Sequence, residues 1–243
     1  MENIVYPLVS VITVSLISLI GVLTLSFKAE KLKKFLFLLV SLSVGALLGD
    51  VFLHLLPEIG QDQSIFILLG ILLFFILEKF LRWRHCHDND CKEHNVAPIA
   101  SINLIGDLAH NIIDGMIIGA SYLAGIGVGI TTTIAILLHE IPQEIGDFGV
   151  LLHGGLTTKK ALFYNFLSAC GAILGTIISL SLGGKISGYT QILLPITAGG
   201  FLYIAGSDLI PELHKENNAK NSFWQLAFIT LGIALMYWLT FLE

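Results

Sequence analysis

Eight runs of mostly apolar residues follow one another along the chain, at roughly 4–27, 35–56, 65–81, 98–123, 130–152, 161–182, 192–210 and 223–242. Each approaches the ~20 residues that a helix needs to cross a bilayer. The pattern predicts an all-α membrane protein of eight transmembrane helices with short connections, a single domain over residues 1–243. Two of the runs are interrupted by polar residues at helical spacing: His110-Asn111-Ile112-Ile113-Asp114-Gly115 in the fourth, and His139-Glu140-Ile141-Pro142-Gln143-Glu144 in the fifth. Ionisable groups in hydrocarbon lose their water and gain nothing, so clusters of this density face a bundle interior, a partner or an ion.

Composition agrees with a membrane location. The chain is 55% hydrophobic and 13% charged, too apolar for an ordinary soluble domain. The first run lacks a basic start and is too long for a secretory h-region, so it is read as a retained helix. Basic residues set the orientation. Lys28, Lys31, Lys33 and Lys34, then Lys79, Arg82, Arg84 and Lys92, then Lys159 and Lys160, then Lys215 and Lys220 fall in connections on one side. Only Lys185 falls on the other, with Glu2, Glu58, Asp62 and Glu243. Both termini are therefore expected outside the cytoplasm. The net charge of −5 gives no reason to expect nucleic acid as a partner. Cys86 and Cys91 share a cytoplasmic connection and Cys170 sits in the sixth helix, a pattern that implies no disulfide framework.

Helical phase organises the polar residues. His110 and Asp114 share a face, with Asn111 on its flank; His139 and Gln143 form one stripe of the fifth helix, Glu140, Glu144 and Asp147 the next. Imidazole together with carboxylate and amide oxygens suits zinc and its first-row neighbours. Pro142 removes a backbone donor, so the fifth helix is expected to kink and to free the carbonyl of Leu138 as a further ligand. Gly115, Gly119 and Ala120 give the fourth helix a small-residue face for close packing, with the fifth helix as a candidate neighbour. Asp107, one turn before His110, is either a solvated helix-end charge or a ligand on a release path. Asp50, His54 and Glu58 descend one face of the second helix, and Asp208, Glu212 and His214 end the seventh; each set is either an access step for the ion or a row of interfacial charges. The connection 83–97 holds His85, Cys86, His87, Cys91 and His94, a metal-collecting tether without zinc-finger spacing. An acidic residue followed within a few positions by Leu-Leu-Pro57-Glu58 or Leu-Ile-Pro211-Glu212 hints at two inverted halves.

His110-Asn111-x-x-Asp114-Gly115 and His139-Glu140-x-Pro142-x-Glu144-x-Gly146-Asp147 resemble the signature of the ZIP (Zrt/Irt-like) metal transporters, subgroup LIV-1. The stretches 165–169 and 198–205 are also similar to that family. The resemblance covers nearly the whole chain. It implies movement of zinc, and also of iron, manganese or cadmium, into the cytoplasm, with the metal as transported substrate and no catalytic cofactor. It further implies a 3+2+3 arrangement of helices and an elevator-type motion against a dimerising scaffold, hence a homodimer. Carried over by position, one ion would lie among His110, Asp114, His139 and Gln143. The second would draw on Asn111, Asp114, Glu140 and Asn165, with Asp114 bridging and Glu144 as a further ligand. Gln143 departs from the pattern, which has a histidine there. The expected location is the plasma membrane of a prokaryote. A rival reading is a metal-dependent intramembrane hydrolase, because His139-Glu140 begins the motif His-Glu-x-x-His, but Gln143 stands where its second histidine belongs.

Overall fold

The computed structural model describes residues 2–26, 29–83, 96–183, 185–215 and 218–242. Every regular element among the described residues is helical. α1 (Glu2–Ile17) runs on as a tighter 3-10 segment, Ser18–Ser26; α2 is Ala29–Asp50, α3 Ser64–Trp83, α4 Val96–Ala124 and α5 Ile126–His153. α6 (Thr158–Ala169) and α7 (Gly171–Gly183) form one apolar stretch interrupted at Cys170, and α8 (Tyr189–Tyr203), α9 (Ile210–Leu213) and α10 (Ala219–Leu239) complete the order. Among the described residues, five stretches are long and apolar enough to cross a membrane: Ile4–Leu25, Lys34–Glu58, Thr158–Gly183, Tyr189–Leu213 and Ala219–Leu239. α3, α4 and α5 are helices of 20, 29 and 28 residues. The proposed tether residues His85, Cys86, His87, Cys91 and His94 lie outside the described residues.

The surface of this bundle is oily. Ile4, Val9, Ile12 and Leu16 of α1, Ile65, Leu68, Leu72 and Ile76 of α3, and Leu226 and Leu231 of α10 are all exposed. So many large apolar side chains would be untenable against water and are at home against lipid. At the two ends of α10, Phe223 and Trp224, then Tyr237, Trp238 and Phe241, are exposed as well, the pattern of aromatic residues at both membrane interfaces.

With lipid outside, helices gain little from burying apolar surface against each other, and close backbone approach takes over. Among the described residues, three reciprocal glycine seams provide it. A Cβ added at Gly45 of α2 would land on the carbonyl oxygen of Ile229, and one at Gly232 of α10 on that of Leu42. Likewise Gly70 of α3 abuts the carbonyl of Ile196 and Gly199 of α8 that of Ile67; Gly115 of α4 abuts Ala172 and Gly175 of α7 abuts Ile112. In every seam each glycine meets the residue three before its partner glycine. The glycine face of α4 thus lies on α7, where Thr176 Oγ1 also donates to the Gly115 carbonyl at 2.9 Å. This places the close approach elsewhere than on α5, the neighbour considered from sequence.

α2 and α8 share more than a glycine. Gly45 precedes Pro57-Glu58 by twelve residues, and Gly199 precedes Pro211-Glu212 by the same twelve. Each helix widens into a π-helical turn just before its proline, at Val51–Leu55 and at Ile204–Leu209. The proline ring crowds the carbonyl four residues back and supplies no N–H, so an extra residue is taken into the turn.

Candidate metal centre

α4 and α5 pack side by side with their polar faces turned inward, and four groups converge between them. His110 Nε2 lies 3.3 Å from Glu140 Oε1 and 3.7 Å from Asp114 Oδ2; His139 Nε2 lies 3.2 Å from Asp114 Oδ2 and 3.7 Å from Glu140 Oε1. All four ligand atoms fall within 4.8 Å of one another. Donor atoms on a tetrahedral zinc ion with bonds of about 2.0–2.1 Å are separated by about 3.3 Å, so the cluster has the spacing such an ion requires. Asp114, His139 and Glu140 are at most 2% exposed.

Hydrogen bonding leaves these atoms open. His110 Nε2, both oxygens of Asp114, His139 Nε2 and Glu140 Oε1 are buried without a hydrogen-bond partner. So many unsatisfied polar atoms are not tolerated without compensation, and a bound cation would satisfy them together. The ring of His139 is prepared for that role. Its Nδ1 lies 3.2 Å from the carbonyl of Ala135; a carbonyl only accepts, so Nδ1 carries the proton and Nε2 presents its lone pair. Phe201, fully buried, packs its ring 6.0 Å from the imidazole centroid and holds it from the other side.

The remaining candidate residues surround this cluster. Asn111 is fully buried; its Nδ2 donates to Asp107 Oδ1 at 2.8 Å and to the Asp107 carbonyl at 3.1 Å. Ser168 Oγ of α6 donates to Asp107 Oδ2. Asp107 is therefore a buried, doubly hydrogen-bonded link between α4 and α6 and not a solvated helix-end charge. Asn165 Nδ2 donates to Glu144 Oε2 at 2.5 Å and to the Ser18 carbonyl at 3.2 Å. Gln143 lines a cavity of about 320 Å³ together with His110, Asp107, Asp147 and Asp208. Asp147 accepts from Asn103 Nδ2 at 3.0 Å.

Asp50 and His54 are buried, at 0% and 1% exposure, so neither is an interfacial charge. Asp50 Oδ2 accepts from Thr132 Oγ1 of α5 at 3.2 Å, and His54 Nε2 meets the Met236 carbonyl of α10 at 2.9 Å. Glu212 and His214 are exposed, and Glu212 pairs with Lys215. The carbonyl of Leu138, freed by Pro142, is occupied: Ser43 Oγ of α2 lies 2.6 Å from it. Sequence reasoning missed Ser43 and Thr132, since a lone hydroxyl in an apolar helix gives no signal of its partner.

A lipid-exposed helical bundle with two imidazoles and two carboxylates converging in its interior defines an integral, multi-pass membrane protein with a group of residues that could hold a metal ion. Comparison with known proteins narrows the class. The family described as ZIP Zinc transporter matches residues 82–240, and the chain belongs to that family. It is 30% identical to "Zinc transporter zipt-7.1" of Caenorhabditis briggsae over 86% of this chain and 72% of that protein. It is 36% identical to "Zinc transporter ZIP13" of Pongo abelii, over 82% and 65%, and 46% identical to "Zinc transporter ZIP10" of Mus musculus, over 63% and 19%. The chain thus spans less than two thirds of the length of the last two. These relatives are animal proteins and lend no support to a prokaryotic plasma membrane.

Proposed function

We propose that the protein carries zinc across a membrane into the cytoplasm through a paired site between α4 and α5. The observation that carries this reading is the convergence of His110, Asp114, His139 and Glu140, with ligand atoms buried and without hydrogen-bond partners, at the spacing of a zinc ligand set. Both carboxylate oxygens of Asp114 are open, which suits a bridge between two ions, the second held also by Asn111, Glu140 and Asn165. Gln143, at the cavity beside His110, is a weaker and neutral group for an ion in transit. Iron, manganese and cadmium, which accept the same ligands, are alternative cargoes.

Eight membrane spans in a 3+2+3 order, with both termini outside, accommodate the lysine distribution and the matching seams α2 with α10 and α3 with α8. On that topology the cavity lined by Asp107, Gln143, Asp147 and Asp208 leads from the site toward the cytoplasm. An elevator-type motion, with α4 and α5 sliding against α2 and α3 of a homodimer, would expose the site alternately. A hydrolase would need a general base beside an open metal position, whereas Glu140 is a member of the cluster itself.

Uptake of radioactive zinc into proteoliposomes tests the proposal. Saturable uptake is expected for the wild type and its loss in His110→Ala and His139→Ala, with both variants folded. Undiminished uptake in both would remove the site from the transport path.

A further inference from the structure

The two asparagines beside the cluster are bound in the same way. Asn111 Nδ2 has two hydrogens, and both are engaged by Asp107, one on its carboxylate at 2.8 Å and one on its carbonyl at 3.1 Å. Asn165 Nδ2 likewise engages the Glu144 carboxylate at 2.5 Å and the Ser18 carbonyl at 3.2 Å. In each case the amide oxygen is left buried with no hydrogen-bond partner, although Asn111 and Asn165 are both fully buried. An asparagine can present either its oxygen or its NH2, and only the oxygen has lone pairs for a cation. A carboxylate accepts and never donates, so it holds the NH2 and turns the oxygen away from itself. Rotating the amide would set oxygen against oxygen.

We propose that Asp107 and Glu144 are positioning residues for the transported cation. Each fixes the orientation of one asparagine, Asn111 and Asn165 respectively, so that its carbonyl oxygen is the atom offered to the metal. Asp107 is itself held from α6 by Ser168, which donates to its second oxygen. The proposal rests on the reading that Asn111 and Asn165 help to hold the second ion, and it changes the role of Glu144 from ligand to the group behind a ligand. The substitution Asp107→Asn would undo the device without changing its size, because the new side chain could donate to Asn111 and let that amide turn round.

The test is a zinc titration of the folded full chain in detergent, by calorimetry, on Asp107→Asn, Asn111→Ala and the double variant, and on Glu144→Gln, Asn165→Ala and their double variant. Removing one charge-assisted hydrogen bond is expected to weaken the second zinc equivalent by about tenfold. The double variant Asp107→Asn/Asn111→Ala is expected to bind no more weakly than Asn111→Ala alone, since a positioning residue has nothing left to position. The exchange Asp107→Asn/Asn111→Asp, which reverses donor and acceptor, is expected to restore the second equivalent. Losses that multiply in the double variants would overturn the proposal, because Asp107 or Glu144 would then act on the ion independently. So would unchanged zinc affinity in folded Asp107→Asn and Glu144→Gln while the asparagine variants are weakened. Unchanged affinity in Asn111→Ala and Asn165→Ala would instead refute the second-ion reading beneath the proposal, and the proposal with it.

Discussion

Ser43 offers a direct probe of how the proline in α5 is accommodated. Pro142 has no N–H, so the carbonyl of Leu138, four residues earlier, has no donor within its own helix. Ser43 Oγ of α2 supplies one at 2.6 Å, while its other acceptor, the Leu39 carbonyl at 2.8 Å, already has an intrahelical donor in Ser43's own backbone. Ser43→Ala therefore leaves a partly buried carbonyl unpaired. That costs about 1–3 kcal/mol in general, and membrane double-mutant cycles reach about 1.7 kcal/mol. A loss of about 1.5 kcal/mol is expected, roughly tenfold in the folded to unfolded ratio. The assay is reversible unfolding in mixed micelles, followed by circular dichroism, for Ser43→Ala, Pro142→Ala and the double variant. Alanine at 142 returns an N–H that reaches Leu138, so Ser43→Ala is expected to cost less than about 0.5 kcal/mol in that background. An equal cost in both backgrounds would refute the idea that Ser43 serves the proline-freed carbonyl.

Other perturbations follow from the same contacts. Gly115→Ala, whose Cβ would meet the Ala172 carbonyl, is expected to destabilise by about 1–3 kcal/mol; Gly149→Ala, with open space around it, is expected to stabilise by up to about 1 kcal/mol, and thermal melts in detergent compare the two. Gln143→His places an imidazole at the cavity beside His110 and is expected to tighten zinc binding while lowering maximal uptake, because an ion held more strongly leaves more slowly; a weaker zinc isotherm would count against Gln143 as part of the path. Phe201→Ala removes the ring packed on His139 and is expected to weaken zinc binding several-fold in a calorimetric titration, a loss that a folded variant of unchanged affinity would contradict.

The helices and polar clusters were legible because hydrophobic runs and spacings of four survive in the linear chain. His110 and Asp114 could be read as neighbours from their separation alone, and they are neighbours. On α5 the spacing gives two stripes, His139 with Gln143 and Glu140 with Glu144, and the structure brings one member of each, His139 and Glu140, to His110 and Asp114. Periodicity says which residues share a stripe; it does not say that α4 crosses over the boundary between two stripes. The same limit applies to Gly115, whose small face was visible but whose partner, Ala172 of α7, depends on the crossing. The burial of Asp50 and His54 was hidden because position near a helix end is ambiguous until the neighbouring helices α5 and α10 are in place. The correspondence of Gly45 and Pro57 with Gly199 and Pro211 was present in the sequence, but a repeat carried by widely separated residues is inconspicuous without the seams that use it.

The order in which the glycine seams can close has a consequence for synthesis. Of the three, only that between α4 and α7 joins two helices that both follow α3 and precede α8; α3 waits for α8, and α2 waits for α10, the latest of these six helices. A chain halted after α7 already contains α4, α5 and α6, and with them His110, Asp114, His139, Glu140 and Asn165. The metal-bearing part can therefore gather in the bilayer while α2 and α3 still turn unmatched glycines toward lipid. Contacts between distant parts of a sequence close slowly, so of the three seams that of α2 with α10 closes last, and a ribosome that stops before α10 leaves behind a centre without its surround.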